Sequence, residues 1–352
     1  MHELNHIAIA AGRSGGHIIP GITIAEQLVK EHHHTTITFF ATNNALDKKI
    51  LAQQHHIERI LFLTVDNVPK QSYRYPLFLM QQLWACIKTL FHLMRYRPKK
   101  IILMGGYISI PVCIAAWLLH IPRELYELNA IPGKATRFLS PMVNTICCCF
   151  SQTTHYFTKN KAFIVPYPVR FSPAVHAITQ SKAIAELGLN PTRKTIVVLG
   201  GSQGSISLNQ FIKKALTKIS ALKDTIQVIH QTGAHDKTNW QQWYKKLQIP
   251  ALIFTYHHDL SLHYQAADLI IARSGAGTIF ETLFFKKPCI LIPLEQCANN
   301  HQWYNAQAMQ QSYPQLFYVV QQSDKKISQK LATIIGKHCS IPTSQTVYET
   351  TA

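Results

Sequence analysis

Glycine-rich turns carry the side chains of this chain that could do chemistry. The most informative is Arg273-Ser274-Gly275-Ala276-Gly277-Thr278, with Glu281 shortly after it. It follows the apolar run Leu269-Ile270-Ile271 and leads into Ile279 and Leu283 at helical spacing, so it reads as strand, turn and helix start. Amides at such a helix end lack partners within the helix and carry partial positive charge, which suits a phosphate. Glu281, expected in the first helical turn, is placed for the hydroxyls of a ribose beside that phosphate. A tight βα turn with a favourably placed acid is the plainer reading of this stretch alone.

A second turn, Gly12-Arg13-Ser14-Gly15-Gly16-His17, follows the buried run Ile7 to Ala11 and opens a helix expected from Ile18 to Val29, with Pro20 in its first turn. Its glycines do not fit the spacing G-x-G-x-x-G, so a nicotinamide cofactor is not indicated. His17 stands at the mouth of the turn, where parallel-sheet proteins bind ligands. An imidazole there is either structural or a general base, since it is neutral near pH 7. A third turn, Gly200-Gly201-Ser202-Gln203-Gly204-Ser205, follows the strand Thr195 to Leu199 and precedes a helix through Ile212. Gly105-Gly106-Tyr107 ends the strand Ile101 to Met104, and Glu127 and Asn129 place an acid and an amide at another strand end.

The elements that must position these groups alternate. Strands are expected at Ile37–Phe40, Ile60–Leu63, Ile226–His230, Leu252–Thr255 and Cys289–Pro293, the last strand expected, with the stretch Leu125 to Asn129 at another strand end and Asn299 to Gln302 leading a helix through Asn305. Between Tyr73 and Lys100 a longer helical pattern carries Met80, Trp84, Ile87, Phe91 and Met94 at spacings of three and four. The default reading is a core-facing helix with a basic outer side. The alternative is an apolar flank and cations resting on an anionic bilayer. The extended, proline-rich stretch Ile164 to Arg170 marks a domain boundary, giving residues 1–166 and 167–352. Strand, glycine turn and helix recur on both sides of it, which predicts an α/β chain of two doubly wound parallel-sheet domains.

Composition narrows the partners. Lysine and arginine total 35 against 17 acids, a formal net charge of +18 over 352 residues, which calls for anionic partners. No nucleic-acid-binding signature accompanies that charge, so a membrane surface or a phosphorylated substrate is favoured over nucleic acid. The eight cysteines lack metal spacings, and Cys147-Cys148-Cys149 reads as buried reduced thiols. His32-His33-His34 reads as a solvated helix end. Neither a signal peptide nor a membrane span is recognisable, so a cytoplasmic protein attached to a surface is expected.

Six motifs then occur in order: Gly12 to His17 with Pro20; Gly105-Gly106-Tyr107-Ile108-Ser109 with Pro111; Pro168-Val169-Arg170; Gly200 to Gly204; Arg273 to Ala276 with Thr278 and Glu281; and Asn300-His301-Gln302. Together, from Ile7 to about Ala308, they closely resemble the MurG family of bacterial peptidoglycan N-acetylglucosaminyltransferases. The resemblance implies a GT-B fold, two such domains facing across a cleft, with an acceptor- and membrane-associating first domain and a donor-binding second. It implies inverting transfer of N-acetylglucosamine from UDP-N-acetylglucosamine to the C4 hydroxyl of the muramoyl sugar of lipid I, giving lipid II. By the same resemblance, Ser202 lies beside the nucleotide, with Arg273 nearby. Ala276, Gly277 and Thr278 hold the diphosphate, Glu281 the ribose, and the His257 backbone the uracil. His301 and Gln302 contact the donor sugar, and Asn129 and Arg170 reach the donor. Ser14, Gly15 and Gly16 face the acceptor diphosphate and the reaction centre, with Tyr107 nearby. His17 is the expected base and Glu127 the reserve.

No metal or other cofactor is expected, because the chain lacks an Asp-x-Asp motif and a helix N-terminus with arginine can stabilise a departing diphosphate. The implied partners are the donor, lipid I, the anionic inner face of the cytoplasmic membrane and other cell-wall enzymes. The chain departs from the family pattern at Arg13, Ser14, Tyr126, Leu128 and Asn299. Two other readings remain at this point: a UDP-N-acetylglucosamine 2-epimerase, which needs no lipid acceptor, and a non-catalytic GT-B scaffold.

Overall fold

The short apolar runs become two all-parallel sheets, and the chain reverses its building direction once in each. A computed structural model describes residues 6–69, 71–201, 203–295 and 300–339. The chain divides into two compact units, Met1–Arg170 with Cys297–Ala308, and Phe171–Gln296 with Met309–Ala352.

The first unit is built on β1 (His6–Ala10), β2 (Thr36–Thr42), β3 (Arg59–Leu63), β4 (Lys100–Leu103), β5 (Arg123–Glu127), β6 (Thr145–Cys148) and β7 (Ala162–Ile164). Their order is β3-β2-β1-β4-β5-β6-β7, parallel throughout. The helices α1 (Gly15–Glu31), α2 (Ala45–Leu51), α3 (Tyr75–Tyr96), α4 (Ser109–Leu118) and α5 (Lys134–Leu139) make the crossovers. Strands covered on both faces must be apolar almost without interruption, and Ile7 to Ala10, Ile37 to Ala41 and Ile101 to Leu103 are all buried. Because the order turns back between β1 and β4, the loops after these two strands diverge and leave a crevice at the strands' carboxyl ends.

The second unit repeats the plan with α6 (Gln180–Glu186), β8 (Lys194–Leu199), α7 (Ile206–Lys218), β9 (Ile226–Gln231), α8 (Trp240–Leu247), β10 (Ala251–Phe254), α9 (Ser261–Ala266), β11 (Leu269–Ala272), α10 (Ala276–Phe284), β12 (Cys289–Leu291), α11 (His301–Ser312), β13 (Phe317–Val319) and α12 (Ile327–Cys339). The sheet order is β10-β9-β8-β11-β12-β13, so the switch point lies between β8 and β11. Residues of α11 through Ala308 group with the first unit and the rest with the second. Inside the sheet, His230 is fully buried, and Tyr244 donates to its Nδ1 at 3.0 Å while its Nε2 bonds Asn209 Oδ1 at 3.1 Å. Burial pulls its pKa down to about 4, so it is a neutral structural imidazole.

Several expectations are corrected. Cys289–Pro293 is not the last strand: β13 adds a further edge, and α12 packs on α7. β13 is too short for a periodic signal, and α12 buries only every fourth residue, Ile327, Leu331, Ile335 and Cys339. The default reading of the helix around Trp84 is overturned. Met80, Trp84, Phe91 and Met94 face outward, Trp84 being 67% and Phe91 65% exposed, and the buried side of α3 is the narrow row Ala85, Thr89 and Leu93. The small residues in that row let α3 lie close on α4, and the large apolar ones are left outside. As expected, Cys147, Cys148 and Cys149 are buried free thiols, and His32 to His34 are exposed past the end of α1.

Candidate active site

Both helices expected to meet a ligand begin earlier than their apolar patterns suggest. α1 starts at Gly15, so Pro20 lies inside it and not in its first turn, and α10 starts at Ala276, so Glu281 lies in the second turn and not the first. The cause is the same at each. The caps, Ser14 and Gly275, make no side-chain capping bond, and the first turns are built from Gly15-Gly16 and Ala276-Gly277. Small residues there leave the first-turn amides uncovered, the arrangement an anion needs.

In the first unit, the turn before α1 is fastened from α2. Arg13 adopts φ 73°, and its amide donates to Asp47 Oδ1 and Oδ2 at 3.1 and 2.8 Å. A Cβ at Gly12 would stand 2.5 Å from the same carboxylate, so the turn closes only with glycine there. His17, in the first turn of α1 and partly buried, meets the carbonyl of Met104 through Nδ1 at 2.7 Å. A carbonyl only accepts, so Nδ1 carries the proton and Nε2 the lone pair. Burial lowers the pKa of His17, the charge of Glu127 and the Met104 carbonyl act to raise it, and His301 lowers it further.

Glu127 ends β5 and is buried. The amide and Nδ2 of Asn129 donate to its Oε1 at 3.0 and 3.2 Å, and the amide of Gly133 donates to Oε2 at 3.0 Å. The carboxylate therefore folds its own loop. The same loop is held from α11, where the fully buried Asn305 accepts from the Ala130 amide at 2.8 Å and donates to Asn129 Oδ1 at 3.1 Å. His301 and Asn305 are four residues apart, so one face of α11 serves both His17 and Asn129.

In the second unit, the loops after β8, β9, β11 and β12 interlock. A Cβ on Gly204, at φ 74°, would lie 2.4 Å from Gly233 Cα, so two strand-end loops touch backbone to backbone. Asn209 ties them by donating to the Thr232 carbonyl at 2.9 Å and to Asp236 at 2.7 Å. Buried Arg273 donates to Ser205 Oγ at 3.0 Å, to Ser207 Oγ at 2.5 Å and to the Ile292 carbonyl at 3.0 Å. Burial lowers its pKa to about 10, against the pull of Glu295, so it remains a cation fixed beneath the glycine turn. Beside that turn a cavity of about 500 Å³ is lined by Gln203 to Ser207, Thr232, His235 and Asp236. Glu281 accepts from the Tyr264 hydroxyl at 2.9 Å.

Of the residues singled out from the sequence, Ser14, Gly15, Gly16, His17, Glu127, Asn129 and His301 gather around the switch point and β5 end of the first unit. Tyr107 lies just before α4, edge-on to Phe78 at 6.3 Å. Arg170 is the last residue of the unit's long segment and is partly buried, as is Gln302 on α11. Arg273, Ala276, Gly277, Thr278 and Glu281 gather at the β11 end of the second unit. His257 is exposed beyond β10, where its Nδ1 donates to the Asp259 carbonyl. Ser202 lies outside the described residues. Among the described residues no group of three or more His, Cys, Asp or Glu side chains is placed to hold a metal ion. Sequence reasoning missed Asn305 and Tyr264. The four-residue spacing from His301 could have pointed to the first, whereas nothing local marks the second.

Two sequence families tile the chain: the Glycosyltransferase family 28 N-terminal domain over residues 7–148 and its C-terminal domain over residues 195–347. In fold the chain is similar to the crystal structure of Acinetobacter baumannii MurG, with a TM-score of 0.73 at 23% identity over 94% of this chain and 90% of that one. The glycosyltransferase of kitacinnamycin is also similar, with a TM-score of 0.70 at 14% identity over 96% and 91%. Two doubly wound units with ligand-facing loops at their switch points thus make this an enzyme of the GT-B glycosyltransferase class. The chain is 31% identical over 308 residues to the UDP-N-acetylglucosamine–N-acetylmuramyl-(pentapeptide) pyrophosphoryl-undecaprenol N-acetylglucosamine transferase of Thermodesulfovibrio yellowstonii, covering 86% of this chain and 82% of that one. It is 32% identical over 306 residues to the transferase of the same name from an Anaeromyxobacter species, covering 86% and 77%. The chain belongs to this family of transferases, the MurG family.

Proposed function

We propose that the protein transfers N-acetylglucosamine from UDP-N-acetylglucosamine to the C4 hydroxyl of the muramoyl sugar of undecaprenyl-diphosphate-linked muramoyl-pentapeptide, with inversion at the anomeric carbon. The observation that carries the chemistry is the tautomer of His17. With Nδ1–H held by the Met104 carbonyl, Nε2 is the basic nitrogen, and burial keeps it unprotonated near pH 7. As the acceptor oxygen bonds to the anomeric carbon, Nε2 takes its proton. The bond from that carbon to the β-phosphate oxygen breaks, and its electron pair leaves on UDP.

The imidazolium so formed is stabilised by the nearby charge of Glu127. Glu127 itself is engaged in its own loop, both of its oxygens accepting from Asn129 and Gly133. Negative charge developing on the leaving diphosphate is matched by the uncovered first-turn amides of Ala276, Gly277 and Thr278 and by the fixed cation of Arg273. Glu281 takes the ribose hydroxyls, the backbone at His257 the uracil, and His301 and Gln302 the donor sugar. The uncovered amides after Ser14 receive the acceptor diphosphate.

The outward face of α3 is the membrane contact in this reading. Leu79, Met80, Leu83, Trp84, Phe91 and Met94 are exposed with Arg74, Lys88, Arg95 and Arg97 among them, and Trp117 and Leu118 extend the patch at the end of α4. Apolar side chains ringed by cations suit an anionic bilayer, where an undecaprenyl chain is held. No helix among the described residues is long and apolar enough to cross one.

The test is UDP release from UDP-N-acetylglucosamine in EDTA, with and without a short-chain lipid I analogue. Acceptor-dependent release supports the transfer. Donor binding without release, or formation of UDP-N-acetylmannosamine in the absence of acceptor, would overturn it.

A further inference from the structure

We infer that Tyr264 is a positioning residue of the donor site, its phenol holding the Glu281 carboxylate ready for the ribose diol. This rests on the reading of Glu281 as the ribose ligand. The Tyr264 hydroxyl donates to Glu281 Oε2 at 2.9 Å. Tyr264 sits on α9 and is 1% exposed. Its ring stacks on Phe285 with centroids 5.2 Å apart and planes 2° apart, and meets the edge of Phe171 at 5.8 Å. Packed between these rings, the phenol has little freedom to turn away, and a buried hydroxyl must keep a partner.

Glu281 differs in kind. It is a long side chain, partly exposed, in the second turn of α10, and such a side chain loses rotamer freedom when it grips a ligand. A bond from an immobile phenol imposes that loss before the nucleotide arrives, so ligand binding does not bear it again. A carboxylate has about four lone-pair sites, and one bond from a phenol does not exhaust its capacity for two vicinal hydroxyls. The phenol thus acts on the ribose only through Glu281.

The experiment is calorimetric binding of UDP, 2′-deoxy-UDP and 3′-deoxy-UDP to wild type, Tyr264→Phe, Glu281→Ala and the double variant. Tyr264→Phe keeps the ring and removes only the donor. It is expected to weaken UDP by about tenfold and leave the deoxy nucleotides nearly unchanged, so that preference for the intact ribose collapses. Added to Glu281→Ala it should change nothing further. A Tyr264→Phe protein that keeps the full preference while Glu281→Ala loses it would overturn the inference, as would additive losses in the double variant. If Glu281→Ala itself keeps the preference, the reading of Glu281 as ribose ligand fails, an outcome distinct from the other two.

Discussion

The Nδ1 of His17 donates to the carbonyl of Met104 at 2.7 Å, and this single bond decides which ring nitrogen can accept a proton. Burial holds the pKa of His17 below its ordinary value of 6.5. A base with a lowered pKa stays unprotonated to lower pH, so its acid limb moves to lower pH as well. The kcat/KM profile should therefore be flat at pH 7 and fall with unit slope only below 6.5 as Nε2 is protonated. A limb centred above pH 7 would contradict the assignment.

Arg273 joins α7, β11 and β12 through one planar fork. Lysine keeps the charge and cannot make those bonds together. Arg273→Lys should lower stability by about 2 kcal/mol in denaturant unfolding and raise the donor KM. Unchanged stability would mean the fork is not holding the loops.

Asn305 reaches from α11 to the loop that carries Asn129. Asn305→Ala leaves the Ala130 amide buried without that acceptor, which should cost about 1–3 kcal/mol. The loop is then free to drift, and the donor KM should rise more than kcat falls. An effect on stability alone would confine Asn305 to the fold.

The exposed face of α3 gives a prediction independent of catalysis. Trp84→Glu with Phe91→Glu should abolish sedimentation with vesicles rich in anionic lipid and leave UDP affinity and melting temperature unchanged, since both rings are already outside the core. Binding in the wild type should weaken with salt, because exposed cations contribute to it. Retained vesicle binding by the double variant would place the contact elsewhere.

These particulars show what a sequence can and cannot carry. The strands were legible because a parallel strand covered on both faces is apolar without a break, as in Leu269-Ile270-Ile271. The glycine turns were legible because close backbone approach, as at Gly204 and Gly233, tolerates nothing larger. The direction in which α3 faces was not, since Met80, Trp84, Phe91 and Met94 recur at a helical period whether they meet core or lipid. What settles the direction is Ala85 and Thr89, small residues that pack closely and carry little hydrophobic signal. The position of Glu281 was misjudged by one turn because Gly275 and Gly277 look like turn residues, yet one caps α10 and the other lies inside it. Tyr264 and Asn305 act through partners distant in the chain; the four-residue spacing from His301 points only to Asn305, and no local pattern announces the Tyr264 bond.

The most direct test is the rate of transfer by His17→Ala, measured with a short-chain lipid I analogue beside the affinity for UDP. Turnover should fall by about 100- to 10,000-fold while UDP binds as in the wild type. Wild-type turnover in that variant would remove His17 as the base. Lost UDP affinity at equal stability would make it a ligand-binding residue instead.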